Sequence, residues 1–222
     1  MLLALLACAS TDPATRCKPC ASEDEAVAGD GADIDAGCPG EVNDAEGLVE
    51  AVEQGGSWLL GEGRYSVDLV SWAEVELSGC GPVTLEGELE IRAGTLRATE
   101  LMVDGGWLVT GGRLVLEGGS TTPASEWDEA LHVTATDGPE ATVLATRHRF
   151  DAPVFVIHGG ILEATESAFS GPGWALSYQY ASGSVIDSLV REAEVGVRLL
   201  DSDVLLDGVN YVGVDIPVEV VD

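Results

Sequence analysis

A short pattern of alternating apolar residues recurs along this chain at intervals of roughly 20, and that period constrains the fold more than any other feature. Leu96-Arg97-Ala98-Thr99-Glu100 returns as Leu162-Glu163-Ala164-Thr165-Glu166, with a third relative at Val143-Leu144-Ala145-Thr146-Arg147. Aligned on their first residue, seven copies start at Val75, Leu96, Leu114, Val143, Leu162, Val185 and Val204, with steps of 21, 18, 29, 19, 23 and 19. Two residues on stand Leu77, Ala98, Leu116, Ala145, Ala164, Asp187 and Leu206, of which only Asp187 is polar. The fourth position is Ser78, Thr99, Glu117, Thr146, Thr165, Ser188 and Asp207, with no apolar residue. Alternation with a period of two marks short strands, not helices.

Further apolar pairs lie between these starts, among them Val83/Leu85, Leu89/Ile91 and Leu101/Val103. Strands so closely spaced leave no room for helical crossovers. They fit a coil with several short strands per turn, in which no turn can bury its apolar face alone. The expected fold is all-β: a single-stranded, right-handed parallel β-helix of about seven to eight rungs over residues 43–222. Its longest step holds an insertion, "GGSTTPASEWDEA", expected to project as a loop. Stacking also places Phe150, Phe169 and Tyr211 in one core column, and sets Arg147 beside Glu166 as a cross-rung ion pair.

The start of this body, "DAEGLVEAVEQGGSWLLGEGRYSVDLVSWAEVELSGCGPVTLEG", resembles the opening of right-handed β-helix proteins of the pectin-lyase-like superfamily. The resemblance implies a capping helix, here Ala45 to Gln54, then a Gly-x-Tyr segment at Gly63-Arg64-Tyr65. A turn at Leu77-Ser78-Gly79-Cys80-Gly81 follows. It speaks to fold and not to activity. The carboxylate cluster and proton-abstracting arginine of the family's lyases have no counterpart. Neither do the paired aspartates and Arg-x-Lys of its polygalacturonases, because the sole lysine is Lys18. No catalytic residue, cofactor or metal is therefore expected.

Ahead of the body, "MLLALLA" runs into Cys8 and resembles a bacterial lipoprotein signal with its lipobox, although no Lys or Arg precedes the apolar run. The resemblance implies a signal-like segment at 1–7, lipidation of Cys8, and a place in the bacterial cell envelope as an outer-membrane or surface lipoprotein, or otherwise secretion. Residues 8–42 are expected to be a flexible acidic tether. Positions 21–46 carry nine acidic residues and no basic one, a composition that cannot offset the entropy of ordering. Asp30, Asp33 and Asp35 lack the ligand register of a calcium loop. An exported chain would pair Cys17, Cys20, Cys38 and Cys80 in disulfides, in any of three pairings.

Ten Lys and Arg against 39 Asp and Glu give a formal net charge of −29 at pH 7, which repels nucleic acid and leaves a membrane accessible only through a lipid anchor. Two groups are candidate ligand sites. Trp127, Asp128, Glu129 and His132 combine an aromatic with carboxylates around the insertion, a composition suited to glycan. Arg147 and His148 could take a small anion or a glycan group. The function expected is a non-catalytic, surface-tethered β-helix lipoprotein in adhesion, envelope structure or glycan contact. The alternatives are a carbohydrate-binding module without turnover, or a polysaccharide lyase or hydrolase.

Overall fold

The computed structural model describes residues 40–123, 128–135 and 140–221. Cys8, Cys17, Cys20, Cys38 and Trp127, with the signal-like segment and most of the tether, lie outside the described residues.

These residues form a parallel β-solenoid of about eight turns. One eight-stranded sheet takes a strand from each turn: Gly56–Leu60, Val75–Gly79, Thr95–Thr99, Gly112–Glu117, Ala141–Thr146, Ile161–Thr165, Ser182–Ile186 and Asp203–Asp207. After a corner, each turn continues into a second, bent sheet. In four turns one long strand runs through the bend: Val83–Ile91, Met102–Val109, Leu189–Leu200 and Asn210–Val221. Elsewhere the bend divides it, as in Arg149–Phe150 and Val154–Ile157. Among the described residues every pairing between these strands is parallel, so like positions stack in columns along the axis.

The columns form the core. Leu77, Ala98, Leu116, Ala145, Ala164 and Val185 follow one another in register and are all buried. On the second sheet Phe150 stacks on Phe169 with ring centroids 5.2 Å apart, and Val190 then Tyr211 continue their column.

One stretch of the expected register is corrected. Leu162 pairs with Gly183, not with Val185, and Gly183 pairs with Val204, so the last two steps are both 21 residues. Aligning on aliphatic residues passed over Gly183 because it has no side chain to show. A Cβ there would collide with the Leu162 carbonyl oxygen, and its φ of 155° is one that L-residues rarely adopt. The two-residue slip keeps every side chain on its face but moves Asp187 out of the inward column. Asp187 instead occupies the corner after the first sheet. There the chain takes left-handed φ values: 55° at Glu100, 69° at Gly118, 55° at Arg147, 52° at Glu166, 47° at Asp187 and 65° at Gly208.

The insertion is also redrawn. Ser120–Thr121 is a strand of the coil, and Thr121 is fully buried. The extra residues of this turn flank the strand Leu131–Thr134 on both sides.

The helix α1 spans Ala45–Gln54, the range the resemblance implies. The Asp44 side chain accepts from the Gly47 N–H at 2.8 Å, and Gly55 ends the helix at φ 72°. Its buried face of Leu48, Ala51 and Val52 joins the core and contacts all three strands of the first turn, so it covers the coil's open end. Val42 is part of the same core and bridges to Leu60. The Tyr65 hydroxyl, buried beneath, lies 2.8 Å from the carbonyls of both Val42 and Gly61. Cys80 is disulfide-bonded.

Candidate functional site

A concavity of the outer surface lies where the bent sheet folds. In the paired strands Val83–Ile91 and Met102–Val109, Gly87 stacks on Gly105 and Glu88 on Gly106. The geometry demands glycine here. A Cβ on Gly105 would strike the Gly87 carbonyl, and one on Gly87 would meet the Val67 carbonyl and lie 2.8 Å from Asp68 Oδ1. Where the coil bends tightly enough to exclude side chains, its outside is left bare, and the result is a groove of about 690 Å³ floored by backbone.

Four carboxylates line this groove. Glu88 and Asp104 come from the strands themselves, and Asp128 and Glu129 from the segment ahead of Leu131–Thr134. His132 completes the wall, its Nδ1 2.5 Å from Glu129 Oε2, so each fixes the other's rotamer. Asp104 is 3.1 Å from the Arg64 guanidinium, which also bonds Glu86. Further along the same face His132 stacks between Leu108 and Phe155. Phe155 meets Trp174 edge-on at 6.3 Å, and Arg198 lies over the Trp174 ring at 4.6 Å. A negatively charged, glycine-floored groove thus leads onto an aromatic and basic strip.

Asp128, Glu129 and His132 therefore come together as the composition of the insertion suggested, while Trp127 lies outside the described residues. Glu88, Asp104 and the three glycines escaped sequence reasoning. The signal for Asp104, Gly87 and Gly105 was present, since "LEGELEI" and "VDGGWLV" each carry an acidic residue followed by glycine at the same place in consecutive turns. Among the described residues no group of three or more His, Cys, Asp or Glu is arranged to hold a metal ion.

Arg147 and His148 do not line the groove. Arg147 sits exposed at a left-handed corner, and among the described residues it makes no ion pair with Glu166. His148 is an interior residue, only 2% exposed. Its Nδ1 lies 2.6 Å from the Gly118 carbonyl, and its Nε2 2.9 Å from Thr121 Oγ1. Trp107 Nε1 donates to the same Thr121 oxygen at 2.9 Å. A carbonyl only accepts and an indole N–H only donates, so the protons are assigned along the chain. His148 Nδ1–H donates to Gly118, and the Thr121 hydroxyl, having accepted from Trp107, donates to the bare Nε2. Burial pushes the imidazole down from 6.5 to about 4, outweighing the Gly118 bond and the Asp151 charge that pull the other way. Neutral and saturated with partners, His148 is a structural member of the core.

The same column continues through Ser167 and Ser188. The Ser188 oxygen accepts from the Ser167 N–H at 3.1 Å, and the Ser167 oxygen from the His148 N–H at 3.3 Å. These hydroxyls satisfy backbone donors freed where the chain turns. No protein family, characterised protein or solved structure matches this chain.

Proposed function

We propose that this protein is a non-catalytic, surface-tethered β-solenoid that contacts glycan through the groove at the bend of its second sheet. The observation that carries the reading is the groove itself: a backbone floor at Gly87, Gly105 and Gly106, walled by Glu88, Asp104, Asp128 and Glu129. Carboxylates aimed into a shallow groove accept hydrogen bonds from sugar hydroxyls, and charge-assisted bonds of that kind are about twice as strong as neutral ones. The same charge rejects uronic acid polymers, so the glycan is neutral or amino-substituted. Phe155 and Trp174 extend the face with apolar surface for sugar rings.

The tether and anchor belong to the same proposal. A lipidated Cys8 would tether the solenoid to the envelope. No helix among the described residues is long and apolar enough to cross a membrane. Likeness to the pectin-lyase-like superfamily supports the architecture and is proposed at that level alone.

Glycan-array binding by the full chain tests the groove. Neutral or amino sugars should bind, and an Asp104→Ala/Glu129→Ala variant should lose that binding while its thermal melt remains cooperative. Release of product from a polysaccharide by the wild-type protein, abolished in Glu129→Gln, would establish an enzyme instead. Membrane association that persists in a Cys8→Ala variant would refute the anchor.

A further inference from the structure

Outside the groove, the strands ahead of the bend carry charges in an uncommon balance. Among the described residues most ion-paired arginines have a carboxylate to themselves. Arg92 takes Glu90, Arg97 takes Glu117, Arg198 takes Glu219, and Arg64 holds both Glu86 and Asp104. Arg149 and Arg191 instead share one, Asp151, with Arg149 Nη2 2.6 Å from Oδ2 and Arg191 Nη2 3.5 Å from Oδ1. Two hydroxyls engage the same carboxylate: Thr122 donates to Oδ2 at 3.2 Å, and Ser170 Oγ lies 3.4 Å from Oδ1. The Asp151 side chain is 17% exposed, whereas those of Arg149 and Arg191 are 53% and 36% exposed. Asp151 is thus a fixed strut between two accessible guanidiniums. Two positive charges against one negative leave an excess of one, on a chain whose net charge is −29.

The register shows what lies between the two guanidiniums. Arg149 stacks on Ala168 and Ala168 on Leu189, while Ser170 stacks on Arg191. The arginines therefore stand two turns apart, roughly 10 Å at the usual strand spacing. The turn between them offers only Ala168 and Ser170 beside the long side chains, which leaves a dent walled by guanidinium on two sides. Ser170 is 8% exposed, and its hydroxyl reaches the Phe150 carbonyl and Asp151 only at 3.4 Å. Each arginine meets Asp151 through one nitrogen, so further N–H groups of each fork are left for an acceptor. A carboxylate ligand offers two oxygens in one plane and suits a single fork. A tetrahedral oxyanion has oxygens on all sides and can bridge both. Glu192, next in the chain, sits at the bend at φ 54° and lines a separate concavity. At about 0.15 M salt the Debye length is about 8 Å, so an ion in the dent responds to these neighbours more than to the net charge. We infer that Arg149 and Arg191, spread by Asp151 over Ala168 and Ser170, form a binding site for a sulfate or phosphate group. The group arrives either as the free ion or as the ester of a small molecule. This inference is independent of the groove.

The test is isothermal titration of the full chain with sodium sulfate and sodium phosphate, ionic strength being held constant with sodium chloride. Glucose sulfate ester, with glucose as its control, distinguishes the sources. Tighter binding of the ester than of sulfate assigns the site to an esterified ligand, and equal or weaker binding assigns it to the free ion; either supports the site. Wild type should bind the inorganic oxyanions saturably. Arg149→Gln and Arg191→Gln should each bind at least about tenfold more weakly. Asp151→Asn removes the neutralising charge and should bind about fivefold or more tightly, a gain that a merely structural ion pair does not produce. Because both arginines are partly exposed, their variants should keep a cooperative melt near the wild-type temperature. Absence of saturable binding in the wild type would overturn the proposal. So would binding that both Arg→Gln variants retain in full, or that Asp151→Asn weakens.

Discussion

Inside the coil, the chain Trp107, Thr121, His148 and Gly118 shows how a residue suited to chemistry can be fully committed to structure. Burial lowers the folded-state pKa of His148 to about 4, against 6.5 for the exposed side chain. Between those values the unfolded chain binds the proton and the folded one does not. Stability from this group is therefore complete above about pH 6.5 and is lost as pH falls towards about 4, with a total near 3 kcal/mol. Urea titrations from pH 7 to pH 4 should show that slope in the wild type, and a His148→Gln variant should lack it. Replacing Thr121 by Val keeps the shape but strands the Trp107 N–H and the His148 Nε2, so unfolding free energy should drop by about 1–3 kcal/mol at pH 7. A second residue-scale constraint is the left-handed corner. Glu166 at φ 52° carries a strain that glycine would not. In chemical denaturation Glu166→Gly should raise stability by up to about 1 kcal/mol, and Glu166→Val should lower it by about 1–2 kcal/mol.

Among the elements, strand register was the point at which side-chain pattern and backbone geometry parted. Apolar columns identify which face of a strand is inward, because alternation has a period of two and a slip of two residues leaves the faces unchanged. For the same reason those columns cannot count residues through a glycine. Leu162 to Gly183 is where this happened, and the aliphatic Val185 stood in for a residue with no side chain. The cost of that glycine is measurable: Gly183→Ala forces a Cβ onto the Leu162 carbonyl and should destabilise by about 2–4 kcal/mol, read as a lower denaturation midpoint at unchanged slope. The helix was a simpler case. Asp44 caps α1, Leu48 and Val52 face the core and Gly55 ends it, so the helix is set by residues adjacent in the chain and lies where the resemblance placed it. The groove shows the opposite situation, since Gly87, Gly105 and Glu129 are brought together by stacking and not by nearness in sequence.

For the molecule as a whole, the dominant long-range term is charge. Cross-rung pairs such as Arg97 with Glu117, and Arg64 with Glu86 and Asp104, neutralise a few carboxylates, but the net charge of −29 leaves most of them repelling one another. Screening should relieve that repulsion, because the Debye length falls from about 30 Å at 0.01 M salt to about 3 Å at 1 M. The melting temperature followed by circular dichroism should therefore rise with sodium chloride, the reverse of what a fold held by surface ion pairs would show.

The order of residues alone determined the architecture. A period near 20 with inward-facing alternation has few solutions other than a coil of short parallel strands, since each turn must bury its face against the next. It determined the helix at Ala45–Gln54, the Phe150/Phe169 stack and the net negative charge. Three things were decided only when the coil closed: the true pairing of the last turns, the fate of His148, and the groove. Each depends on atoms about one rung apart in space and roughly 20 residues apart in sequence. At that separation a backbone carbonyl, not a side chain, decides which residue fits and which way a polar group turns.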